Sequence, residues 1–158
     1  MGKMVFQGQF SGIASHFEAF GLVQTVAGDI RTDVSFKRGS NKVTQITGKV
    51  NTKSFDLGKT LGRSSLGIIS VSGELDAFAK KKDYALKFSG DIPRFEFKDY
   101  AYSNIKMDGE IRDRVFSGEL IVNDSNLLLD FDGEVDFSNP KRQRYDFVAD
   151  LKLSLIHI

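Results

Sequence analysis

The chain has no cysteine, no tryptophan, two prolines and two histidines, and its net charge is +1. Each shortage removes a class of function. Without cysteine there is neither a disulfide scaffold nor a thiolate metal site, which leaves the cytoplasm and the bacterial envelope equally open. A zinc or iron centre needs convergent nitrogen or sulfur ligands, and His16 and His157 alone cannot supply them. With 22 basic and 21 acidic residues there is no field strong enough to gather nucleic acid. The run Lys80, Lys81 and Lys82 before Asp83 reads as a solvated turn. No segment approaches the ~20 consecutive apolar residues of a membrane helix. Gln7, Gly8 and Gln9 interrupt any secretory-signal pattern near the start, so the chain reads as cytosolic or as an interior piece of something longer. Its 158 residues, 41% of them hydrophobic, suffice for one domain, and no shift in composition divides them.

What the chain does contain is a pentad, apolar-x-Gly-x-apolar, written eight times. It occurs around Gly8, Gly28, Gly48, Gly73, Gly90, Gly109, Gly118 and Gly133, as in Phe88-x-Gly90-x-Ile92 and Phe116-x-Gly118-x-Leu120. Side chains on a strand alternate faces, so each glycine shares a face with its two apolar neighbours and notches the greasy side. A repeated glycine in strands marks bending or close approach, because glycine has no side chain to pack and loses backbone entropy on folding.

Period-2 alternation extends beyond the pentads. Leu22, Val26, Ile30, Val34 and Phe36 fall on one expected side, and Asp29, Arg31, Asp33, Ser35 and Lys37 on the other. Turn chemistry at Arg38–Asn41, Lys80–Asp83, Arg112–Asp113, Asn123–Asn126 and Ser138–Pro140 separates the runs. Short links between long strands predict an antiparallel meander of about eight to ten strands, all-β, in a single unit over residues 1–152. Ser54–Gly62 fits neither period and is expected to form a short helix or a plug at one end of the sheet; Asp99–Tyr102 is expected to turn the chain. Residues 153–158, Leu-Ser-Leu-Ile-His-Ile, read as translated sequencing adapter; the alternative is that Leu153 and Leu155 continue the alternation.

Catalytic patterns are missing. No Gly-x-Ser-x-Gly elbow occurs, and Ser72, Ser89 and Ser117 belong to the strand repeat. Asp130, Asp132, Glu134 and Asp136 share one strand face, but they alternate against apolar residues and so read as a solvated face. The same spacing departs from a calcium loop, and Gly28 and Gly67 open no nucleotide-binding fingerprint. The expectation is a protein without catalytic residues, metal or cofactor.

The apolar face itself remains. One reading makes Phe6, Phe10, Phe88, Phe116 and Phe131 an ordinary core, with glycines that allow curvature. The other makes the face a concave, underfilled lane for acyl chains, since lipid pockets are concave and mostly apolar. Its expected lining is Phe88, Gly90, Ile92, Met107, Gly109, Ile111, Phe116, Gly118, Leu120, Phe131, Gly133 and Val135.

The succession Phe10-Ser-Gly12, Phe17-x-Ala19-x-Gly21, Gly28 to Val34, Phe55-Asp-Leu-Gly58, Leu66-Gly67, Asn104-Ile105-x-Met107-Asp-Gly109, Phe116-Ser-Gly118 and Leu129 to Gly133 resembles AsmA-like and TamB-like envelope proteins, especially the long ones of Bacteroidetes. The resemblance covers Phe6 to about Lys152. It implies a taco-like periplasmic β-groove, open along one side, anchored in the inner membrane through parts outside this chain. It further implies phospholipid passage and outer-membrane assembly, without catalysis. The partners it implies are phospholipid acyl chains, flanking segments of the parent chain and outer-membrane assembly machinery met elsewhere in that parent.

Three other readings stand beside it. A closed lipid-binding barrel requires the Phe6–Phe10 strand to pair with the Tyr145–Leu151 strand. A structural or adhesin module requires a dry, tight core. An outer-membrane barrel expects aromatic girdles, against which stand four tyrosines and no tryptophan.

Overall fold

A computed structural model describes residues 4–138 and 144–153. Asn139, Pro140, His157 and most of the adapter-like tail lie outside the described residues; Leu153 closes the last strand. The strands are β1 (Val5–Ile13), β2 (His16–Thr25), β3 (Gly28–Arg38), β4 (Thr44–Asp56), β5 (Leu66–Lys80), β6 (Asp83–Phe97), β7 (Tyr100–Arg112), β8 (Val115–Asn123), β9 (Leu127–Asp136) and β10 (Arg144–Leu153), with one helix, α1 (Leu57–Leu61), between β4 and β5. All ten strands form one antiparallel sheet in chain order, a curved and open meander. β1 and β10 are its two ends, so the strand pairing that a closed barrel requires is not made.

Two-residue turns account for most of the regularity. Lys98–Asp99 (φ 49° and 65°) and Asp113–Arg114 (φ 49° and 72°) are left-handed at both positions, the twist that suits tight hairpins. The expected turn at Asp99–Tyr102 therefore lies earlier, and Tyr100–Tyr102 already belong to β7. The turn at Val26–Ala27 pairs Thr25 with Gly28, which sets odd positions of β2 beside even positions of β3. Val23, not Leu22, consequently stands opposite Ile30 on the apolar face. Leu22 stands opposite Arg31 on the polar one, and the expected alternation is corrected there.

The segment Ser54–Gly62, which fits neither period, is the end of β4 followed by the expected short helix α1, and three bulges interrupt the strands around it. Lys53–Ser54 bulge opposite Ser70, Gly67–Ile68 opposite Glu96, and Ile92–Pro93 opposite Val71. Each bulge adds a residue on one strand and slips the alternation beyond it. Pro93 is tolerated because a bulged position has no ladder bond to lose. α1 follows immediately. The Asp56 carboxylate accepts from Lys59 N at 2.7 Å at its start, and Gly62 (φ 64°) ends it.

Candidate functional site: an uncovered apolar face

Register places the apolar positions in transverse rows. One runs Phe10, Ala19, Val34, Gly48, Leu75, Phe88, Gly109, Gly118, Gly133, Phe147 across the whole sheet. The next holds Gly73, Gly90, Met107, Leu120, Phe131 and Ala149, and a third holds Leu86, Ile111, Phe116, Val135 and Tyr145. Ile92 joins Ile105, Val122 and Leu129 in a fourth. All twelve expected lining residues thus share one face of β6–β9 as a contiguous patch. The intervening Asp, Glu and Ser residues, such as Asp108, Glu119 and Asp132, occupy the opposite face.

Among the described residues nothing covers that face. Among the described residues the buried hydrophobic side chains are Ala85, Ile105 and Val122 alone, and no side chain is fully buried. The protein exposes 11416 Å² at a mass of 17.6 kDa. A compact monomer of that mass would expose about 7,900 Å². The excess is what a single layer leaves open when no second layer is built to receive its greasy side. The dry, tight core required of a structural module is not present among the described residues.

The glycines behave differently from open notches. A Cβ at Gly109 would sit 2.7 Å from the Phe116 ring, and one at Gly73 would sit 2.7 Å from the Phe88 ring. Neighbouring rings therefore lie over these glycines, the packing by which aromatics rescue glycine in sheets. At Gly118 (φ 144°) a Cβ would run into the carbonyl of Asp108 and the Cα of Gly109. Filling the glycines would thus drive side chains into the adjacent strand rather than into an empty lane. The expectation that they leave the face underfilled is corrected at Gly73 and Gly109. An aromatic ladder runs out of the patch, Phe116, Phe131 and Phe147 with centroids 6.0 and 5.1 Å apart, and a second stands on β1–β3, Phe10, Phe17 and Phe36 at 4.7 Å each.

A depression of about 840 Å³ lies elsewhere. It crosses β1–β5 on the polar face, lined by Gln7, Gln9, Phe20, Leu22, Arg31 and Asp33 among others, and includes none of the twelve. A twisted sheet is saddle-shaped, so each face is concave along one direction.

Two carboxylates organise the sheet ends. Asp124, buried in the β8–β9 turn, accepts from Tyr100 Oη at 2.6 Å, Ser103 Oγ at 2.7 Å, and the backbone N–H groups of Ser103 and Asn126 at 3.0 Å each. Led by the Tyr100 bond, these donors hold its pKa down to about 2, and the same bond raises that of the Tyr100 hydroxyl. Glu96 accepts from the bulged Ile68 N–H at 2.8 Å, which with Arg94 lowers its pKa. Gly67 leaves the room that the Glu96 side chain occupies. Sequence reasoning treated Asn123–Asn126 only as a turn; the signal was Asp124 at the head of a tight loop, a position where a carboxylate bonds backbone two residues on. Among the described residues no group of three or more His, Asp or Glu converges on a possible metal position, and no helix is long and apolar enough to cross a membrane. Comparison with protein-family models, curated proteins and solved structures gives no match to this chain.

Proposed function

We propose that this chain is a lipid-shielding segment of a bridge-like envelope protein, one that supports phospholipid passage to the outer membrane and its assembly. The observation that carries the reading is the uncovered apolar face of β6–β9, continuous across four strands with charged residues confined to the other side. Four strands at about 4.8 Å spacing make a patch about 15 Å wide. Each methylene taken from water contributes about 0.8 kcal/mol, so eight of them against this face supply about 6 kcal/mol before the cost of association. The occupant is the acyl region of a phospholipid, held without catalysis or cofactor. The resemblance to AsmA-like and TamB-like proteins supports a periplasmic setting, with the inner-membrane anchor and the outer-membrane contacts in other parts of a parent chain.

The test is native mass spectrometry with lipid extraction on the protein purified from bacterial cells. Copurifying phospholipid is expected. Leu120→Glu with Phe131→Glu, on the apolar face, should strip it, whereas Ile121→Glu on the polar face should not. Far-UV circular dichroism establishes that each variant keeps its sheet. Lipid-free wild-type protein, or equal lipid on folded variants of both faces, overturns the reading.

A further inference from the structure

Antiparallel strands in chain order send their turns alternately to two rims of the sheet. The rim formed by the β3–β4, β5–β6 and β7–β8 connections is basic. Arg38 and Lys42 stand at the first, Lys80, Lys81 and Lys82 at the second and Arg114 at the third, all exposed, with Asp83 and Asp113 the acids beside them. Among the described residues none of these six cations is in an ion pair, whereas Arg112 on the same rim is held by Glu110 at 2.6 Å. The opposite rim is balanced, with Lys59, Arg63 and Lys98 against Asp56, Asp99 and Asp124. We propose that the basic rim is the headgroup side of the apolar face, binding the phosphates of anionic phospholipids whose acyl chains lie on that face. The inference rests on the lipid-shielding reading and adds which phospholipid is taken and which way round it lies.

Three successive connections break a local rule in the same way. Lys42 (φ 63°), Lys81 (φ 55°) and Arg114 (φ 72°) hold left-handed backbone, where turns favour glycine, asparagine or aspartate. A cation kept at such a position in each turn points to a use for its charge. Lys98 does the same on the opposite rim, but beside Asp99 and with its ammonium 5.4 Å from the centre of the Phe97 ring. Neighbouring connections on one rim lie two strands apart, so the cations repeat about every 10 Å and span about 19 Å. The apolar columns run straight into them. Arg38 shares a face with Val34 and Phe36, and Tyr84, 40% exposed, with Leu86 and Phe88. Both side chains have an apolar body and a polar tip, suited to the boundary between acyl chain and headgroup. From Phe36 to Ile30 the column is about 20 Å long, and one leaflet of a ~30 Å hydrocarbon core is about 15 Å. A chain laid along a strand with its phosphate at the basic rim therefore ends on apolar residues. Turning it round sets an anionic headgroup at a rim of balanced charge. The basic rim consists of turns inside the chain, so it stands whichever strands continue the sheet beyond β1 or β10.

The test is the headgroup composition of lipid extracted from the full chain, purified from bacterial cells at low salt, against the total lipid of the same cells. Phosphatidylglycerol and cardiolipin are expected to be enriched over phosphatidylethanolamine, whose own ammonium accompanies its phosphate. Lys80→Gln, Lys81→Gln and Lys82→Gln together should lower that enrichment about fivefold or more, with total lipid and the circular dichroism spectrum unchanged. Lys59→Gln, Arg63→Gln and Lys98→Gln together, which remove as much charge from the balanced rim, should keep it. Isothermal titration with glycerol phosphate, the same headgroup chemistry without acyl chains, should show no binding. Bound phospholipid in the cells' own ratio, enrichment indifferent to the lysine variant or lost equally from both variants, or saturable binding of glycerol phosphate overturns this inference and leaves lipid shielding standing. Lipid-free wild-type protein overturns both.

Discussion

Replacing Asp124 by asparagine should cost more stability than any other single-atom change in the turns. The carboxylate accepts four hydrogen bonds from Tyr100, Ser103 and Asn126. In Asp124→Asn one oxygen becomes an NH₂ group facing donors, so at least one of these groups loses its acceptor in a buried position. A buried donor left unpaired costs about 1–3 kcal/mol. The pH dependence supplies an independent measure. The pKa falls from 3.8 in the reference state to about 2 in the folded protein. A group whose folded pKa is depressed stabilises fully above its unfolded pKa and loses that contribution as pH falls through the folded value. At 1.36 kcal/mol per unit the contribution is at most about 2 kcal/mol, and it disappears between pH 4 and pH 2. Urea unfolding followed by circular dichroism at pH 7, 4 and 2 should show wild type losing that much more than Asp124→Asn across the acid range. A variant within about 0.5 kcal/mol of wild type at pH 7, or one with the same acid slope, would refute the assignment of Asp124 as the clamp between β7 and the β8–β9 turn.

The glycines supply a second expectation. Gly118→Ala should lower stability by about 2 kcal/mol or more, since a Cβ at φ 144° meets the backbone of β7. Gly109→Ala should cost about 1–3 kcal/mol, because the Phe116 ring must move, and thermal melts would register both. Glu96→Gln removes the charge that accepts from the bulged Ile68 N–H. That amide should exchange with deuterium faster in the variant than in wild type, while amides in the centre of β8 are unchanged. Because the Glu96 pKa is lowered, the wild-type protection should itself fade as pH drops below the ordinary carboxylate range.

Alternation and turn chemistry made most of the architecture legible beforehand. Phe88, Met107, Phe116 and Phe131 with their glycines could be assigned to one face from spacing alone, because a strand's period of two needs no knowledge of its partners. The meander followed from short links, since two-residue turns permit only antiparallel neighbours. Leu22 was misplaced because alternation counted through a hairpin ignores the parity change that a two-residue turn imposes. Ser54–Gly62 resisted a strand period because it joins a bulge, Lys53–Ser54 opposite Ser70, to the short helix α1, the helix expected there. The clamp at Asp124 was hidden because its partners Tyr100 and Ser103 lie more than twenty residues away.

The local sequence by itself determined that the chain forms strands, where each one turns, and which residues are greasy on one side and wet on the other. These properties depend on neighbours within a few positions. Only the tertiary structure decided that β1 and β10 stay apart, that Phe88 and Phe116 cover glycines on adjacent strands, and that among the described residues no second layer closes over the apolar face. Closure, ring placement and burial depend on twist and register accumulated over ten strands, and a pattern of period two carries neither quantity.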